Sequence, residues 1–266
     1  MTDSPSDEAW GFEWGTADGN GGFVRLAFHR SARVAWFWAY LLRPGTGPVV
    51  VRDHEVTLPR GRALEIRADA LWSELVCETP GEHWSIGLEA FGVRLDRPGE
   101  GLTGEIGERI ALGFDFEWET TGDPFSSEVA GAVYEEQPGV VHGEILLGRD
   151  RIPLDTVGRF EHSVGAVDTT EVSSTRVSFA LDDGSWWSLR GAFMSAPHSG
   201  VRWEGGRAVP VELRPPDFGY EVKIVASALI PAGDLVIGRG LGTAVCAGRS
   251  GTAWNETTSQ SRAKIT

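Results

Sequence analysis

Three features of this chain specify an all-β protein: short apolar runs of alternating polarity, glycine spread between them, and the lack of any long helical period. The 266 residues include 35 glycines and 14 prolines, a distribution that suits many short strands joined by tight turns. Hydrophobic residues make up 41 % of the chain, enough for a substantial core. The length fits one large β-domain or two of about 130 residues each.

Taken in order, a first set of expected strands covers residues 22–30, 33–42, 49–56, 63–67, 71–78, 83–89 and 109–119. In the last of these, Ile110, Leu112, Phe114, Phe116 and Trp118 share one face, while Asp115, Glu117 and Glu119 share the other. The segment 34–42 is apolar on both faces, with Trp36, Trp38, Tyr40 and Leu42 opposite Ala35, Phe37, Ala39 and Leu41. A strand of that kind is central and covered on each side. Residues 120–132 read as a less ordered connection. A second set follows at 140–147, 158–164, 175–181, 185–193, 209–213, 221–228, 235–239 and 243–247, with Asp182-Asp183-Gly184 as a hairpin turn. The expected organisation is a disordered tail over 1–9, a β-domain over 10–132, a second over 133–256 and a tail over 257–266. Closed or sandwiched antiparallel sheets also dispose of the edges that so many strands would expose.

Composition excludes several classes of function. A net charge of −14 argues against a nucleic-acid or anionic-membrane partner, which would need a basic patch to displace counterions. Residues 1–9 are polar and acidic without an apolar core, so no secretory signal and a cytoplasmic location are expected. The longest apolar run, 34–42, is too short to span a bilayer, so no integral membrane segment is expected. Two cysteines, Cys77 and Cys246, make no disulfide framework. The six histidines show no close pair at metal-ligand spacing. Gly238-Arg239-Gly240-Leu241-Gly242 has no helix after it to receive a phosphate, and no nucleophile elbow occurs. The carboxylates of Asp115, Glu117 and Glu119 have the spacing of a retaining glycosidase strand. They read better as the solvated face of an amphipathic strand.

Chemistry concentrates instead at Gly158–Asp168. Glu161, His162 and Asp168 fall within eight residues, between glycines and apolar strands. The segment resembles the G-x-R-D-H-S-W-G-x-R-D signature of the hydroxyneurosporene synthase/AttH-like group, which includes carotenoid 1,2-hydratases and is related to lipocalin-like pericyclases. Gly158, His162, Ser163, Gly165 and Asp168 match it, and Glu161 stands where that group has Asp. Phe160, Val164 and Val167 replace its two arginines and its tryptophan. The resemblance implies two consecutive lipocalin-like β-domains, barrels or sandwiches, with a ligand pocket near their junction. It also implies a hydrophobic small-molecule partner (an isoprenoid, polyene or steroid-like compound) and no cofactor.

Alkene hydration or cyclisation needs a strong acid in surroundings that tolerate a cation. A carboxylic acid in an apolar pocket stays protonated because burial disfavours its anion, and aromatic faces attract a developing cation. On this reading Asp168 is the acid, Glu161 the second choice, and His162 an orienting group. Trp36, Trp38, Trp84, Trp186, Trp187 and Phe160 are the expected walls of the ligand chamber. Two functions compete: an enzyme of hydration, isomerisation or cyclisation, and a lipocalin-like carrier that binds such a molecule unchanged.

Overall fold

A computed structural model describes residues 6–61, 63–99, 107–129, 131–165, 174–192, 198–214, 219–232 and 235–260. These form eighteen strands in two antiparallel sheets. The first sheet opens with β1 (Glu8–Gly15), β2 (Gly21–His29), β3 (Val34–Leu42) and β4 (Val49–Thr57). It continues through β5 (Leu64–Ala68), β6 (Leu71–Thr79), β7 (His83–Leu95), β8 (Gly107–Thr120) and the short β9 (Phe125–Val129). It ends with two long strands, β10 (Ala132–Leu147) and β11 (Asp150–Val164). The order is β4-β3-β2-β1-β11-β10-β8-β7-β6-β5, with β9 on β10, and β4 pairs again with β7 through Val49 and Val50. That last pairing closes the sheet into a barrel and removes most of its open edge.

The second sheet holds β12 (Ser174–Leu181), β13 (Trp186–Ala192), β14 (His198–Glu204), β15 (Arg207–Leu213), β16 (Tyr220–Ala232), β17 (Leu235–Cys246) and β18 (Arg249–Gln260). Its order is β15-β14-β13-β12-β18-β17-β16. Leu213 on one edge strand and Tyr220 on the other pack against the same core of Val177, Phe179 and Leu189, so this sheet curls on itself.

Side-chain period explains how the sheets meet. The Leu112–Trp118 face of β8 fills the barrel with Phe12, Trp14, Phe37 and Phe160, while Asp115 and Glu119 face water. β3 is covered on both sides, as its sequence requires. Ala35, Phe37, Ala39 and Leu41 point into the barrel, and Trp38, Tyr40 and Leu42 pack outward against Ala228, Ile230, Leu241 and Trp254 of the second sheet. At Gly15 the sheets come so close that a Cβ would lie 2.6 Å from Thr252 Cγ2.

The sheets divide between Val164 and Ser174, not at the 132/133 boundary that the sequence suggested. β10 and β11 hydrogen-bond to each other and to β8 and β1, which ties 132–164 into the first barrel. The expected tails are also shorter. Glu8 and Ala9 pair with Val164 and Ser163 on one side and Phe28 and Ala27 on the other, and β18 runs to Gln260. The connection expected at 120–132 contains β9, and β14 was not foreseen.

Candidate functional site

Where β11 and β10 of the barrel face β12 and β13 of the second sheet, the contact layer is ionic rather than apolar. On β11, Arg159 and Glu161 project toward the second sheet, and on β1 Glu13 does the same; all three are buried. Glu161 and Glu136 sit directly across from one another on β11 and β10. Arg176 and Arg190 sit directly across from one another on β12 and β13. Each pair alone sets like charges side by side, which destabilises a sheet. Docked, the two pairs neutralise each other.

Glu161 takes Arg25 at 2.9 Å, Arg190 at 3.1 Å, Arg159 at 3.4 Å and a closer contact from Arg176. Glu136 takes Arg190 at 2.6 Å and Arg159 at 3.0 Å. Glu13 accepts Arg159 Nε at 2.7 Å and Ser178 Oγ at 2.6 Å, and pairs with Arg239 at 3.5 Å. Arg239 bridges on to Glu256 at 2.7 Å. The guanidinium of Arg190 also lies 4.2 Å from the ring centroid of Tyr134, a cation–π contact.

Electrostatics follow from that packing. Burial alone would push the Glu136 carboxyl up, but Arg190 and Arg159 outweigh it and hold the group down at about 2, from an ordinary 4.5. Burial likewise opposes the charges of Arg159 and Arg190, and the surrounding carboxylates more than offset it, raising both. A depressed carboxyl stabilises the fold above its unfolded value and loses that contribution as pH falls toward its folded value. Glu136 therefore stabilises the fold at neutral pH, and that contribution is lost as pH falls from its ordinary value of 4.5 toward about 2. Thermal melts across that window are expected to fall steeply, and Glu136→Gln is expected to flatten the fall. An unchanged slope in the variant would contradict the assignment.

A cleft of about 460 Å³ opens onto this layer. Its floor carries Glu136 and Arg190, and its walls carry Phe125, Val129, Pro210 and Val211. A second cavity, of about 750 Å³, lies at the barrel mouth between Trp10, Phe28, Leu64, Leu75 and Trp84, with Glu8 and Arg30 on its border.

The residues predicted from sequence are scattered by this geometry. Glu161 belongs to the ionic layer. His162, one residue on, projects from the opposite face of β11, bonds to Glu8 at 2.9 Å and stacks on Trp10 near the barrel mouth. The strand period therefore separates Glu161 and His162, and they do not act on one reacting centre. Asp168 lies outside the described residues. Phe160 and Trp84 pack in the barrel core, with ring centroids 5.3 Å apart. Trp36 and Trp38 lie on the barrel exterior around His54, whose burial, helped by nearby Arg52 and His29, lowers it to about 4. Trp186 packs with Trp203, and Trp187 stacks on Phe179 on the other face of the second sheet. The six aromatics thus belong to separate cores and not to one chamber, and none of them lines the junction cleft.

Sequence reasoning missed Glu13, Glu136, Arg176 and Arg190. For Glu13 the usable signal was a charge between the apolar neighbours Phe12 and Trp14. Asp115, Glu117 and Glu119 form an outer barrel face, where Glu117 is held by His83 at 2.6 Å and by Ser85 at 3.0 Å. Among the described residues no helix is long and apolar enough to cross a membrane.

A closed barrel joined to a second curled antiparallel sheet defines the class, the lipocalin-like fold of the AttH-like group. Solved structures share it across nearly the whole chain. An AttH protein from Nitrosomonas europaea aligns over 98 % of this chain and 94 % of its own, at TM-score 0.57 and 12 % identity. Kievitone hydratase from Nectria haematococca aligns over 97 % and 89 %, at 0.55 and 10 %. CghA aligns over 97 % and 88 %, at 0.52 and 10 %. Among curated proteins no sequence matches. By sequence the chain belongs to the family described as domain of unknown function DUF7064, whose profile matches residues 2–212.

Proposed function

We propose that this protein is a cofactor-independent enzyme that hydrates, isomerises or cyclises an apolar isoprenoid, polyene or steroid-like molecule in the cleft between its sheets. The observation that carries the reading is the meeting of a cleft, apolar at Phe125, Val129, Pro210 and Val211, with a buried, pre-formed charge layer at Glu136 and Arg190. Buried charges are costly relative to apolar packing, and such perturbed groups cluster where charge develops during a reaction. Kievitone hydratase shares the fold and by its name adds water, which agrees with this chemistry.

The roles differ from those suggested by the motif alone. Glu161 is engaged by Arg25, Arg159, Arg176 and Arg190, so in this proposal it positions Arg176 and Arg190. Asp168 is the proton donor in this proposal. Arg190, at the cleft floor, orients the substrate through a polar group on it.

A carrier is the second reading, favoured by the larger aromatic cavity at the barrel mouth. Incubation with a panel of acyclic isoprenoids and polyenes, followed by mass spectrometry, separates the two. An enzyme yields a product heavier by one water or an isomer of altered retention. Asp168→Asn and Arg190→Lys are expected to cut turnover at least a hundredfold, while His162→Ala preserves it. Turnover that survives Arg190→Lys but vanishes in His162→Ala would place the chemistry at the barrel mouth. Tight binding with no product from the native chain would favour the carrier.

A further inference from the structure

The barrel has an interior of its own, separate from the junction cleft. Along β1 the strand period turns Trp10, Phe12 and Trp14 inward, while Ala9 and Glu13 pack toward the second sheet. One layer in, Phe12, Trp84 and Phe160 pack ring against ring, at centroid separations of 5.0, 5.3 and 5.6 Å, and close the barrel. The cavity of about 750 Å³ at the mouth is therefore a blind pocket, bordered by the half-buried Glu8 and Arg30. Pockets of about 300–1,000 Å³ hold drug-sized molecules.

The walls are apolar at Trp10, Phe28, Leu64, Leu75 and Trp84, and two carboxylates, Glu8 and the half-buried Glu74, also line the cavity. The guanidinium of Arg30 is already engaged. Its Nη2 donates to Glu8 at 2.9 Å, its Nε donates to the Ser6 carbonyl at 3.1 Å, and it lies 5.5 Å from the ring centroid of Phe28. The other oxygen of Glu8 meets His162 Nε2 at 2.9 Å. A carboxylate has about four acceptor positions, so Glu8 can accept a further hydrogen bond beside these contacts.

We propose that the barrel mouth binds an uncharged apolar alcohol, whose hydroxyl donates to Glu8 and whose hydrocarbon body lies against Trp10, Phe28, Leu75 and Trp84. The inference gives the carrier reading a ligand class, and it holds whether or not the junction cleft is catalytic. Burial of the hydrocarbon supplies the bulk of the affinity, and the hydroxyl supplies selectivity. An ionised acid has no proton to donate, and its head would set one carboxylate beside another.

Cys77 gives the site its own reporter. It lines the same cavity, directly across from Trp84, and its thiol is exposed, whereas Cys246 ends β17 in the second sheet. The native protein is alkylated with iodoacetamide in the presence of farnesol or farnesoate, and both thiols are read by peptide mass spectrometry. Farnesol is expected to slow alkylation of Cys77 at least about fivefold, because a pocket covers most of its ligand and the ligand covers the wall. Cys246 keeps its rate. Farnesoate is expected to need at least about tenfold more for the same protection, the value of one hydrogen bond to a charged group. Glu8→Ala is expected to erase that preference, and Ala63→Trp, which fills the mouth, to erase protection by either probe. The native comparison and Ala63→Trp carry the test if Glu8→Ala fails to fold. Equal protection, or a preference for farnesoate, overturns the inference. Calorimetric binding without protection of Cys77 also overturns it, by placing the molecule elsewhere, and leaves the junction reading standing. Binding of neither probe overturns it as well, and turnover of the isoprenoid panel then judges the junction alone.

Discussion

Glu161→Gln is expected to destabilise the protein by about 3–5 kcal/mol, the range for removing one partner of a buried ion pair. The carboxylate is 4 % exposed and, among the described residues, is the only anion that meets Arg25, Arg159, Arg176 and Arg190 together. A glutamine amide keeps the volume but presents two donors where the site needs an acceptor on both sides. Arg176 then loses its one close partner, Arg25 loses the bond that draws it inward, and the two guanidiniums on β12 and β13 repel. Urea titration measures the effect as a lower midpoint with the slope retained. A residue that served only as a catalytic acid would lose turnover while the midpoint stayed in place. The experiment therefore separates a structural anion from a proton donor at the same position.

Trp118→Ala is expected to cost about 3–5 kcal/mol, the usual penalty for truncating a fully buried aromatic. Its indole is 0 % exposed and lies among Phe12 at 6.1 Å and Phe160 at 5.5 Å between ring centroids. It also occupies the space beside Gly139 on the neighbouring strand, where any Cβ would overlap its ring. Neither strand can collapse into the void, because β8 and β10 are held by a continuous ladder from Gly139 to Leu147. The near-ultraviolet circular dichroism of the barrel core changes with the same substitution. A loss under about 1 kcal/mol would mean that this core is not the packed one described.

What the sequence revealed, and what it hid, follows from where each residue finds its partner. β8 was legible because its alternation is its own, with five apolar residues on one face and carboxylates on the other. β3 was legible because being apolar on both faces has a single solution, a covering layer on each side. β1 was hidden by Glu13 and by glycines at 11 and 15, which look like loop chemistry. Glu13 is tolerated because Arg159 and Ser178 arrive from 146 and 165 residues away. The opening of β10, Tyr134-Glu135-Glu136, likewise reads as solvent-facing, and only Arg190, 54 residues on, makes Glu136 a buried group. Tertiary context overrides local preference most where charges pair across the chain.

Of the central glycine-flanked segment, Arg159 and Glu161 lie in the junction layer and Asp168 lies outside the described residues. The aromatic residues expected around it lie in separate cores, and its Glu161 instead meets three guanidiniums from other strands. No local pattern announces this, because the arginines stand on β12, β13 and β2, in strands that otherwise look like ordinary core.

The coupling between Glu161 and Arg176 bears most directly on the proposed docking of two like-charged strand pairs, because this contact spans the two sheets. A double-mutant cycle of Glu161→Gln, Arg176→Met and the pair, read by urea unfolding, should give an interaction energy above about 1.5 kcal/mol, with the double variant more stable than additivity allows. Additive losses, within about 0.5 kcal/mol, would contradict the account, leaving the buried charges as independent residues rather than the joint between the sheets.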